Sequence, residues 1–275
     1  MTVNPARHGP FPGVLHPDVI AAYAEATRDD TALVRSGEAV PAVFPVLLVL
    51  DAVDAARHDV PAAAWGRARG GVHADHDIVI HRPLVPGETL DTWSRISAVR
   101  TSRSGTRVTV HLEQRDAHDA MAVEQWWTMV LLGLHGMADL GSTPADHSFP
   151  ESACANPVGS ANARLDVDMP HRYAEVSGDW AAHHFDADVA RASGFDSVFA
   201  HGLCTLAICT HRLLGVLDVD DPGRVSRVAV RFAAPTPLDC ELTVTAFGID
   251  ERRVAFEATA GGATTITNGR LELRS

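Results

Sequence analysis

Asp179 and His184 stand five residues apart in the run GDWAAHHFDADVARASGF. A carboxylate and an imidazole carried on one loop can converge on a single water, one taking a proton while the other gives one, which is equipment for adding or removing water. Spacing alone does not separate such a pair from a solvated one in a chain with 15 histidines. A second cluster, His73 and His76 with Asp75 and Asp77, sits on a candidate strand, where successive side chains point to opposite faces. No further ligand set accompanies it, so no metal is expected there. The four cysteines, Cys154, Cys204, Cys209 and Cys240, form no CxxC pair. They read as free thiols of a reducing compartment rather than disulfides or a zinc knuckle.

The elements that would carry Asp179 and His184 are readable from pattern. Pro170 suits the first turn of a helix over HRYAEVS, and Gly178 can close it in a left-handed conformation. Asp186 can cap a short helix, Ala187 to Ser193, ended by Gly194. From Gly202 a third helix runs toward Gly215, with Leu203, Leu206, Ala207, Thr210, Leu213 and Leu214 at spacings of three, four and seven. After Asp221-Pro222-Gly223 the period changes to two, through Val228, Val230 and Phe232, then Leu242, Val244 and Ala246, then Val254, Phe256 and Ala258, then Ile266. That is an antiparallel meander with one buried face, wrapped around an apolar helix.

The same order occurs earlier in the chain. Tyr23-Ala24-Glu25-Ala26-Thr27-Arg28-Asp29 matches Tyr173-Ala174-Glu175-Val176-Ser177-Gly178-Asp179 at an offset of 150 residues, with four of seven positions identical. Pro17 opens the first copy's helix and Pro45 an apolar helix through Val53. Strands are expected near His76 to Arg82, Thr89 to Val99, Thr106 to Gln114 and Met121 to Leu132. The expectation is an α+β chain of two similar units, 1–140 and 163–275, with 141–162 as a linker and the two sheets joined into one.

A net charge of −12, from 35 acidic against 23 basic residues, excludes a nucleic-acid partner. No apolar stretch approaches the roughly 18 to 20 residues that span a bilayer. The expected protein is cytoplasmic, without membrane contact, and acts on a small partner.

Tyr173 to Thr205 resembles the signature region of MaoC-like, or type 2, enoyl-CoA hydratases and (R)-3-hydroxyacyl-thioester dehydratases. The resemblance rests on Ser177-Gly178-Asp179, His184, Ala190, Gly194-Phe195 and His201-Gly202-Leu203-Cys204-Thr205. It implies a double hotdog fold, two helix-wrapping sheets in one chain. It also implies that Asp179 and His184 form the catalytic pair and that the Gly202 N–H polarises the thioester carbonyl. His201 is a substrate-contact candidate or a histidine that bonds backbone. No metal and no cofactor are implied beyond the coenzyme A of an acyl-CoA substrate; an acyl-carrier thioester is the other substrate form. The N-terminal unit, with Val34 where a histidine would follow Asp29, is read as non-catalytic.

Ala181 and Ala182 replace the family's Asn-Pro, and His183 stands at an aliphatic position. These departures leave room for a mesaconyl-CoA-type or carrier-bound tailoring (de)hydratase, and for a catalytically silent thioester-binding subunit. A double unit mimics a hotdog dimer, and two such chains could pair as a homodimer. Arg100, Arg103 and Arg107 are either solvated or meet coenzyme A phosphates.

Overall fold

The computed structural model describes residues 1–149 and 151–275; Pro150, inside the stretch read as a linker, lies outside them. Two compact units exchange segments along the chain. The first comprises Met1–Val14, Leu48–His81 and Thr89–Asp146, the second Leu15–Leu47, Arg82–Glu88 and His147–Ser275.

The first unit contains strands β1 (His8–Val14), β2 (Gly71–Ile80), β3 (Thr89–Ser102), β4 (Gly105–Arg115), β5 (Met121–Leu132) and the two-residue β6 (Leu140–Gly141). They pair antiparallel in the order β1-β3-β4-β5-β2, with β6 beside β3. Helices are numbered along the whole chain. α1 (Pro17–Ala26) and α2 (Ala32–Arg35) belong to the second unit, α3 (Leu50–Arg57) and α4 (Ala62–Trp65) to the first. The helix expected from Pro45 through Val53 is split into a 3-10 turn, Phe44–Leu48, and α3. Val43, Val46 and Val49 are β-branched and lose side-chain freedom in a helix, which favours the break.

The alternation rule also fails locally on β2. A bulge between His73 and Asp75 resets the register, so the two imidazoles meet, with His76 Nδ1 3.2 Å from His73 Nε2. His76 Nε2 donates to Gln125 Oε1 at 3.0 Å, and Asp75 pairs with Arg107. Burial holds His76 down at about 4, hence neutral at pH 7. Arg107 is thereby occupied, and Arg100 donates to Leu140 O at 2.6 Å.

The second unit continues with β7 (Pro157–Leu165), α5 (Met169–Ser177), α6 (Ala187–Ala192), α7 (Gly202–Val216), β8 (Val225–Phe232), β9 (Cys240–Gly248), β10 (Arg253–Ala260) and β11 (Ala263–Leu273). Its antiparallel order is β8-β11-β10-β9-β7. β7 starts inside the stretch read as a linker. Of its nine residues only Ala163 and Leu165 are buried, so little apolar alternation marks it.

α7 is buried on nearly all sides, from Leu203 through His211 and again at Leu213 and Leu214. A helix apolar all round is a core helix. Val228, Val230, Leu242, Val244, Ala246, Val254, Phe256, Ala258 and Ile266 are buried as period two requires. Each fully buried Leu, Val or Phe adds on the order of 2 kcal/mol through burial. Cys204 and Cys209 are free, buried thiols in this helix, as their apolar setting predicts. The start of α7 is thus held rigidly by its own core.

Candidate active site

α5 delivers Asp179 through a left-handed stop. Gly178 takes φ 74° and its N–H donates to Ala174 O at 2.8 Å, a backbone state that glycine enters without a Cβ penalty. The chain then folds back on itself: Asp179 N–H donates to Ser177 Oγ at 3.2 Å, and Ala181 N–H donates to Asp179 Oδ1 at 3.2 Å. That turn orients the carboxylate. A 3-10 turn over Ala182–His184 follows, closed by His184 N–H donating to Ala181 O at 3.0 Å. The turn forms without the proline that Ala182 replaces.

His184 is 6% exposed and His201 2%, and their ring centroids lie 3.8 Å apart at an interplanar angle of 30°. Each imidazole has its tautomer set by a carbonyl. His184 Nδ1–H donates to Phe199 O at 2.8 Å, which leaves the lone pair on Nε2. His201 Nε2–H donates to Asp179 O at 2.9 Å, which leaves its buried Nδ1 without a partner. Polar atoms of Asp179, His184 and His201 all lie within 4.8 Å of one another. Three such atoms could hold a metal ion, to which His201 would offer Nδ1, since its Nε2–H is already engaged.

Burial, followed by the neighbouring imidazoles of His201 and His183, lowers His184 to about 3 against the opposing bond to Phe199 O. Burial lowers His201 and His183 as well, while the Asp179 carboxylate works the other way on both. His184 is neutral at pH 7 and its Nε2 can accept a proton. The same shift sets a stability trend. Below about 6.5 the unfolded chain protonates this group and the folded chain does not, so the contribution is complete above the unfolded value and is lost as pH falls toward about 3. His184→Asn keeps a donor for Phe199 O and cannot titrate. Between pH 4 and 6 the slope of unfolding free energy against pH is expected to be shallower in this variant by up to about 1.4 kcal/mol per unit. Denaturant titrations at several pH values check this; identical slopes would contradict it.

Gly202 opens α7 directly after His201. Its N–H lies in the first turn, where no intrahelical acceptor exists, at the positive end of the helix dipole. A Cβ here would stand 3.1 to 3.3 Å from the Phe232 ring. On the loop between Asp179 and Phe185, the half-buried His183 has its ring 5.3 Å from that of Phe199 at 18°, and the exposed Trp180 lies 5.3 Å from Phe185.

The structure brings together all four residues singled out from sequence: Asp179, His184, His201 and Gly202. Sequence reasoning missed the Phe199 carbonyl, which orients His184, because a backbone oxygen leaves no signal in residue type. It also missed the Ser177 hydroxyl as the acceptor for Asp179 N–H, though Ser177 lay within the motif.

Residues 152–268 match the family model described as MaoC like domain. A 3-hydroxyacyl-thioester dehydratase X of Mycobacterium tuberculosis is 28% identical over 82% of this chain and 74% of that protein. The peroxisomal multifunctional enzyme type 2 of mouse is 24% identical over 64% of this chain, which corresponds to only 24% of that longer enzyme. Among solved structures, a MaoC-like dehydratase of Phytophthora capsici superposes with a TM-score of 0.83 at 20% identity, over 99% of this chain and 96% of that one. A conserved hypothetical protein of M. tuberculosis, described as a double hotdog fold, gives 0.61 at 13% identity over 99% and 96%. Two helix-wrapping antiparallel sheets and these likenesses lead to one assignment: the chain has the double hotdog fold, and its residues 152–268 match a MaoC like domain.

Proposed function

We propose that the chain is a hydro-lyase that adds water to trans-2-enoyl thioesters and, in reverse, dehydrates (R)-3-hydroxyacyl thioesters, with acyl-CoA as the substrate form. The observation that carries this is the geometry of His184: a buried neutral imidazole whose Nδ1–H is held by Phe199 O, leaving the lone pair on Nε2, in a cluster whose Asp179, His184 and His201 ligand atoms lie within 4.8 Å of one another. The names of the M. tuberculosis dehydratase and of a peroxisomal enoyl-CoA hydratase 2 of Arabidopsis thaliana, 22% identical over 68% of this chain, support the same class.

In the hydration direction, a water bound between Asp179 and His184 gives one proton to His184 Nε2 while its oxygen bonds to C3. The electron pair of the C2–C3 double bond moves onto C2 and the thioester oxygen. The Gly202 N–H and the helix dipole meet that growing charge. The imidazolium then returns the proton to C2, so one water has been added and the enzyme is unchanged. Burial keeps His184 neutral at pH 7, so that its Nε2 is free to take the water proton. The Asp179 carboxylate accepts a hydrogen bond from the other hydrogen, which stays on the oxygen, and so orients the water and offsets the transient positive charge. No metal or redox group takes part in this scheme.

Loss of the enoyl absorbance of crotonyl-CoA tests the reading. Wild type is expected to turn over, and Asp179→Asn to be slower by about 10²-fold or more. Undiminished activity in Asp179→Asn would remove the proposed pair. Inactivity of wild type across a panel of enoyl thioesters would favour a thioester-binding subunit instead.

A further inference from the structure

The repeat that lost its histidine retains most of the backbone of the one that kept it. Arg28 takes φ 56° where Gly178 takes 74°. Thr31 N–H donates to Asp29 Oδ1 at 3.0 Å, as Ala181 N–H does to Asp179 Oδ1 at 3.2 Å. α1 packs against α5 within the second unit, with the Tyr23 and Tyr173 rings 6.2 Å apart. Val34, at the histidine position, is buried and apolar. An imidazole nevertheless reaches the Asp29 cavity from another element. His211 of α7 lines it together with Asp29, Tyr23 and Thr27, and its Nε2–H donates to Thr27 O at 2.8 Å. Like the His201 bond to Asp179 O, this bond ties an α7-side imidazole to a backbone carbonyl near the repeat's aspartate, here two residues before it.

Two buried polar atoms on this cavity are left without partners: the Tyr23 hydroxyl, on a side chain 0% exposed, and Nδ1 of His211, 8% exposed. Among the described residues no direct hydrogen bond or ion pair joins His211 to Asp29. The cavity leaves about 10 Å³ for the centre of a water-sized sphere, which is room for about one water. With Nε2–H committed to a carbonyl, neutral His211 presents a lone pair at Nδ1. A water has two hydrogens to give and can accept one from a phenol, so the count of donors and acceptors closes on a single molecule.

We propose that this cavity is a second, silent water site, in which one bound water accepts from the Tyr23 hydroxyl and donates to His211 Nδ1 and the Asp29 carboxylate. The grouping of carboxylate, imidazole and water survives in the eroded repeat, with the imidazole supplied by α7 rather than from position 34. Pro41, Ala42 and Val43 line the same cavity, whose size admits no acyl thioester. The water site stands whether or not the chain hydrates enoyl thioesters.

High-resolution crystal structures of the full chain, wild type and Tyr23→Phe, grown with rubidium chloride, test it. The expected result is one density peak within hydrogen-bond distance of all three groups, without rubidium anomalous signal, and its loss in Tyr23→Phe. An empty cavity, a rubidium peak marking a cation, or direct closure of His211 onto Asp29 would overturn the proposal. Asp29→Asn is expected to leave crotonyl-CoA hydration unchanged. A loss as large as that of Asp179→Asn would overturn the silence assigned to the site.

Discussion

His184→Ala is expected to lower kcat for crotonyl-CoA hydration by about 10³-fold, the range in which a positioned acid–base group contributes. The variant removes the lone pair assigned to take the proton of the attacking water; the other imidazole lone pair of the cluster, on His201 Nδ1, is itself fully buried. His201 has its Nε2–H committed to Asp179 O, and its ring lies tilted by 30° against that of His184. Because alanine also frees the Phe199 carbonyl, His184→Asn is the cleaner companion: it keeps a donor at the Nδ1 position and has no acceptor at Nε2. Both variants should lose kcat alike while Asn retains the wild-type melting temperature more closely. Activity preserved in the asparagine variant would assign His184 to structure rather than chemistry.

The second large effect is expected at Gly202. Gly202→Val places side-chain carbons against the Phe232 ring, where even a Cβ comes to 3.1 Å, and covers the N–H at the start of α7. Loss of one oxyanion donor costs roughly 10² to 10³ in kcat, and kcat/KM is expected to fall by at least that much. Gly202→Ala should fall in between, since one methyl can be met by rotation of Phe232. A rise in KM with kcat unchanged would show that Gly202 only lines the thioester path and holds no developing charge. Steady-state kinetics on crotonyl-CoA separate these outcomes.

Much of this site was legible in residue order because its parts are local. Gly178 suits a left-handed stop, Asp179 and His184 lie on one short loop, and His201-Gly202 begins a helix whose apolar spacing is unmistakable. The meander of β8 to β11 was equally visible, since alternate apolar residues along each strand are buried. The parts that escaped are those decided by tertiary pairing. β1, with its two prolines and two glycines, reads as turn sequence and is a strand only at the end of its unit's order, where a missing N–H is tolerated. β7 is small and polar for the same positional reason. The His73–His76 contact needed a bulge that periodicity cannot announce. The segment from Pro17 to Leu47, assigned by its repeat to the N-terminal unit, clusters with the second compact unit. That placement brings Asp29 and His211 to one cavity.

The most direct measurement follows the interconversion of crotonyl-CoA with (R)- and (S)-3-hydroxybutyryl-CoA by wild-type protein in buffer containing a metal chelator. The account predicts that crotonyl-CoA and the (R) ester approach one equilibrium mixture from either side while the (S) ester is left untouched. Consumption of the (S) ester, or turnover that stops when the chelator is added, would contradict it.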